Sequence, residues 1–148
     1  FNNNKPDLII IDINLKIKKK IKLFKEAKNR KIYIITSCLK SKKFQFLKKK
    51  GVKIIFINSL NDKKDFIILF KLLKKRGFNR ILVESGLIFL NKLLENNLIY
   101  NLYIFKSSIK LNKMGENNTS NNIIKKFKLG RKIKVNLSND NLYKVKIK

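Results

Sequence analysis

An α/β sandwich with a mixed sheet is the fold class that this 148-residue sequence predicts, and three features carry the prediction. Short continuous apolar runs closed by polar residues recur as buried-strand signals. Segments with apolar residues at helical spacing lie between them, giving three strand–helix units. The C-terminal stretch then alternates as antiparallel strands do. At this length a single domain with a substantial core is expected, and no internal repeat or linker divides the chain.

Leu8 to Ile11 follows Pro6, stops at Asp12 and Asn14, and reads as the first buried strand. Ile21 to Ala27 makes either a short helix or an irregular connection. Ile32 to Ile35 is the second strand, ending in Thr36 and Ser37. Lys42 to Lys50 is helical, with Phe44, Leu47 and Phe46 as its inward candidates and Gly51 as its stop. Val52 to Ile57 is the third strand. Asn61 or Asp62 caps a helix whose Phe66, Leu69, Phe70, Leu72 and Leu73 keep helical spacing up to Gly77.

Arg80 to Val83 is the next expected strand, which makes Leu82 interior. Gly86 to Glu95 is the next helix, burying Leu87, Leu90, Leu93 and Leu94 before Asn96 and Asn97 end it. Asn101 to Phe105 alternates, with Leu102 and Ile104 on one face and Tyr103 and Phe105 on the other. Lys113 to Asn122 reads as a loop. From Lys132 to Lys148, two alternating runs flank Ser138-Asn139-Asp140-Asn141, the pattern of an antiparallel hairpin.

In open α/β sheets, ligands bind beyond the carboxyl ends of the strands, which singles out three places. Asp12-Ile13-Asn14 reads as a turn, and Thr36-Ser37-Cys38 as the start of a loop. Glu84-Ser85-Gly86 joins a strand to an apolar helix, so backbone N–H groups point at the strand mouth and glycine lets an anion come close. There Glu84 either hydrogen-bonds a polar ligand or, with Ser85, merely caps the helix. Cys38 is the single cysteine and there is no His, so this chain holds no disulfide framework, Cys metal cluster or Ser-His-Asp triad. A reducing compartment, the cytoplasm, is expected. The Phe and Tyr residues are read as core, not interleaved with Arg as a base-stacking platform.

The run "ILVESGLIFLNKLLENNLIYNLYIF", Ile81 to Phe105, resembles the reductase domain of the bifunctional riboflavin-biosynthesis deaminase/reductase. In that family a strand ends in Val-Glu-Gly-Gly or similar, followed by an apolar helix, a turn and another strand. "PDLIIIDINLKI" is similar to the family's Pro-x-Arg-Val-Val-Leu-Asp-Ser strand, and "GVKIIFINS" sits where the family places its counterpart. The resemblance implies a dihydrofolate-reductase-like three-layer sandwich whose sheet is mixed and mostly parallel, with a C-terminal antiparallel hairpin. It implies NADPH-dependent reduction of the ribosyl group of 5-amino-6-(5-phosphoribosylamino)uracil to ribityl. Glu84 matches the glutamate that contacts this phosphorylated pyrimidine substrate. Gly86, Leu87, Ile88, Phe89, Leu90, Asn91 and Lys92 match the segment along the NADP pyrophosphate, and Ile13 a position near its adenosine half. No catalytic residue and no metal follow from the resemblance; a homodimer is among the assemblies it allows.

The sequence also departs from that pattern. Ile13 stands where the family has a hydroxyl residue, and Ser85 where it has the first of two glycines. The family's Asp-Asp-Pro…Arg segment and the zinc deaminase motif have no match. Residues 1–148 are therefore expected to be a reductase domain lacking its N-terminal part and a deaminase domain, a piece of something longer.

Lys plus Arg total 37 against 9 Asp plus Glu, a net charge of +28. A basic nucleic-acid-binding α/β module without enzymatic activity is the alternative this charge raises, and a decayed reductase kept as a structural subunit is a third. Yet only four of the basic residues are Arg, and Lys shares A- and T-rich codons with the abundant Ile and Asn. Compositional drift accounts for the excess, and neither a nucleic-acid partner nor a membrane is expected. Duplex DNA at physiological salt should then bind weakly, with a Kd of about 10⁻⁴–10⁻⁶ M and no sequence preference. A titration at fixed salt checks this, and a tighter, selective complex refutes it.

Overall fold

The computed structural model of the protein describes residues 5–39, 41–109 and 128–147. They fall into two compact units, Phe1–Arg80 and Ile81–Lys148. The loop expected over Lys113–Asn122 lies outside the described residues.

The first unit is a parallel sheet of three strands, β1 (Leu8–Ile11), β2 (Ile32–Thr36) and β3 (Lys53–Phe56), in the order β1-β2-β3. Every residue of β2 is buried, as its unbroken apolar run requires of a central strand. Ile32 and Ile34 join Leu15, Phe24, Leu47 and Val52 in one cluster. Tyr33 and Ile35 point the other way by strand alternation, and Tyr33 meets Phe78 edge to face at 5.2 Å between centroids. Phe24 comes from a 3-10 helix over Lys22–Lys28, where either a short helix or an irregular connection was expected.

Two helices complete this unit, and their ends are written locally. Helix α1 (Lys42–Lys49) starts at Ser41, whose Oγ accepts from Phe44 N at 3.1 Å. Helix α2 (Lys63–Lys75) starts at Asp62, whose Oδ1 accepts from Asp65 N at 2.9 Å. Asp65 Oδ2 in turn accepts from Asn61 N at 2.8 Å and from Ser59 Oγ at 2.6 Å. Those bonds, the Asn61 N–H foremost, hold the Asp65 carboxyl below its ordinary range. Gly51 ends α1 at φ +79°, with Gly51 N bonded to Lys48 O and Val52 N to Leu47 O. Gly77 closes α2 by the same paired bonds, a conformation that L side chains resist. The inner side of α2 buries Phe66, Leu69 and Leu73.

The second unit contains helix α3 (Leu87–Glu95) and an antiparallel sheet of β4 (Asn101–Lys106), β5 (Lys132–Ile133) and β6 (Asn141–Lys146), ordered β4-β6-β5. Asn97, at φ +55°, ends α3 by the bonding pattern seen at Gly51. β4 pairs with β6 along its whole length, from Asn101↔Lys146 to Lys106↔Asn141. The expected C-terminal hairpin forms, but β5 keeps only two residues, and Val135 lies outside it, exposed.

The α/β class is as expected; two features differ. The described strands pair as one parallel and one antiparallel sheet, where a single mixed sheet was expected. Arg80 to Val83 is not a strand: residues 78–86 carry no regular structure, and Leu82 is 78% exposed. Apolar character alone does not make a strand; a neighbouring backbone must take its N–H and C=O groups, and no described strand does. Leu90, expected inside, is half-buried. In urea melts, Leu69→Ala should cost about 2–5 kcal/mol, since Leu69 is fully packed. Leu82→Ala should change stability by less than about 0.5 kcal/mol; a loss as large as that for Leu69 would place Leu82 in a core.

Candidate functional site

The carboxyl ends of β1 and β2 meet in the first unit. Asp12 turns the chain there: its carboxylate accepts from Lys16 N at 2.8 Å and Ile17 N at 2.7 Å. The turn carries Leu15 at φ +52°, and that side chain is buried in the core. The Ile13 carbonyl accepts from Thr36 Oγ1 at 2.8 Å, Ser37 N at 3.0 Å and Ser37 Oγ at 3.1 Å. Cys38 Sγ lies 3.7 Å from the same oxygen. Asp12 is thus the turn former the sequence indicated. The Thr36 and Ser37 hydroxyls tie two strand ends together at the start of the loop the sequence indicated. At Ile13 the carbonyl is already taken, so the N–H and the apolar side chain are what it offers a ligand.

The other candidates lie in the second unit. Glu84, Ser85 and Gly86 are all exposed. Gly86 is the N-cap of α3 at φ −65°, ψ 162°, and no side chain caps that end. This extended backbone suits any residue, and a Cβ built on Gly86 meets none of the described residues within 4 Å. A helix start with no side-chain cap is where backbone N–H groups can meet an anion.

Along α3, Ile88 is exposed, while Leu87, Phe89, Leu90 and Lys92 are half-buried. Asn91 is different. It is 8% exposed, and among the described residues its Oδ1 finds no hydrogen-bond donor. A buried unpaired acceptor costs about 1–3 kcal/mol, so the position is polar against the interest of stability. The sequence carries a signal for it, because Asn91 stands four residues after Leu87 and three before Leu94, on the helix side given over to leucine. Its unpaired state is not written there. Ile13 belongs to the first unit and Glu84 with Gly86–Lys92 to the second. Asn91→Leu should raise stability by about 1–2 kcal/mol in thermal melts of the ligand-free protein. A loss of that size would mean that the amide is satisfied.

Among the described residues no group of three or more His, Cys, Asp or Glu could hold a metal, and no helix is long and apolar enough to cross a membrane. No curated protein matches the chain. The family model described as the RibD C-terminal domain matches residues 1–120, most of the 148. That family comprises the reductase-type domains of riboflavin biosynthesis proteins. The match runs through all three places that the strand ends single out, and on it the chain belongs to the RibD C-terminal domain family.

Proposed function

We propose that the protein binds NADPH and the phosphoribosylamino-pyrimidine named above, and serves the reduction of its ribosyl group to ribityl. The family match over residues 1–120 carries this reading. The three-layer arrangement of a dihydrofolate reductase is the fold proposed with it. NADPH supplies the hydride, so no His is needed: the protein must align two ligands and hold their phosphates.

Each residue then has a limited task. The N–H groups at the start of α3 face the pyrophosphate, and Gly86 keeps the approach free of a side chain. Glu84 accepts hydrogen bonds from substrate hydroxyl or amine groups, a role in orientation rather than covalent chemistry. Ile13 presents an apolar wall to the adenosine half.

Two substitutions separate these tasks. Glu84→Gln keeps the shape and removes the charge, and a hydrogen bond to a charged acceptor is worth roughly 1.5–3 kcal/mol. It should lower kcat/KM on the order of ten- to a hundredfold and leave NADPH affinity unchanged. A Cβ at Gly86 meets none of the described residues within 4 Å, so with Gly86→Val the fold should survive while NADPH binding weakens. NADPH fluorescence titration beside steady-state kinetics reads both. Equal weakening of NADPH binding by the two variants, or unchanged turnover with Glu84→Gln, would reduce Glu84 to a helix-start residue.

A further inference from the structure

The outer face of the antiparallel sheet is aromatic, basic and exposed. The register sets Tyr103 opposite Lys144 and Asn101 opposite Lys146. It also puts Phe105, Leu142 and Ile133 in one row across the three strands. Leu102 and Val145, on the opposite face, are buried. The outward pair is not: Tyr103 is 46% and Phe105 67% exposed. This corrects the core reading for Tyr103 and Phe105, whereas Phe24, Tyr33 and Phe66 are buried as expected. The Lys144 ammonium lies 5.9 Å from the centre of the Tyr103 ring. No residue of β4, β5 or β6 is acidic.

We propose that this face binds single-stranded nucleic acid, Tyr103 and Phe105 stacking successive bases while Lys144 and Lys146 meet the phosphates. The site is independent of the reductase reading, for it uses none of that reading's residues. Residues two apart on a strand are about 7 Å apart, which gives each ring room for its own base. Bases offer a π-face to such rings only when unpaired, so a duplex gains the charge term alone. A second copy of the chain is disfavoured as the occupant, since two bodies of net charge +28 repel. A flexible polyanion is attracted by the same charge and carries the flat groups the rings require.

The test uses the 148-residue chain and a labelled oligo-dT strand of about ten nucleotides. Anisotropy at fixed physiological salt compares it with a duplex of the same length, and vesicle flotation tests an anionic phosphatidylserine membrane. The single strand should bind at least about tenfold tighter than the duplex, and it should quench tyrosine fluorescence. Tyr103→Ala with Phe105→Ala should abolish that difference, since each stacked base is worth about 1–3 kcal/mol. Duplex binding should stay as it was, and Phe105→Trp should keep the single-strand affinity. Equal affinity for both forms, indifference to the double substitution, or capture by vesicles without single-strand binding would each overturn the proposal.

Discussion

The N–H and C=O groups of Ile32–Thr36 are taken on one side by β1 and on the other by β3, and the first unit is arranged around that fact. A backbone that enters an apolar interior must bring partners for its polar groups, and β2 has them along its whole length. Its side chains can then be apolar on both faces, so elements cover it from both sides. The same requirement explains Arg80 to Val83. Ile81, Leu82 and Val83 are as apolar as β2, but no described strand pairs with them, and their side chains stay exposed. Pairing decides what an apolar run becomes.

What was legible in the sequence follows from the range of the forces involved. Ser41, Asp62, Gly51, Gly77 and Asn97 act on atoms within a few residues, and the helix ends were readable to within about a turn. β1, β2 and β3 were readable because each apolar run is short and bounded. Pairing is nonlocal: neither the separation of the strands into two sheets nor the shortening of β5 is marked in any window of residues. The site divides in the same way. Glycine before an apolar helix announced the open start of α3, whereas the bond from Thr36 to Ile13 spans 23 positions and leaves no local trace. Tyr103 and Phe105 alternate correctly with Leu102 and Ile104; which side of the sheet is covered was not a property of the strand.

The charge excess takes a structural form that composition conceals. Among the described residues a single salt bridge forms, Lys5 with Glu26 at 2.6 Å, and Lys5 draws the Glu26 carboxyl below its ordinary range. With so few acids, lysines use other partners. Lys43 donates to the Leu15 carbonyl at 2.7 Å, and Lys19 and Lys50 both lie over the Phe46 ring. Their stems cover apolar surface while the ammonium groups remain hydrated.

The crowded carbonyl of Ile13 bears on entropy. A loop that must freeze when a ligand arrives gives up part of its binding energy to lost backbone freedom, about 1–2 kcal/mol for each residue fixed. The turn after β1 has already surrendered that freedom: Asp12, Thr36, Ser37 and Lys43 fasten it at four points, even with Leu15 in a left-handed conformation. Whatever meets this end of the sheet meets a surface of fixed shape. A ligand docking there would give up little of its binding energy to ordering the turn.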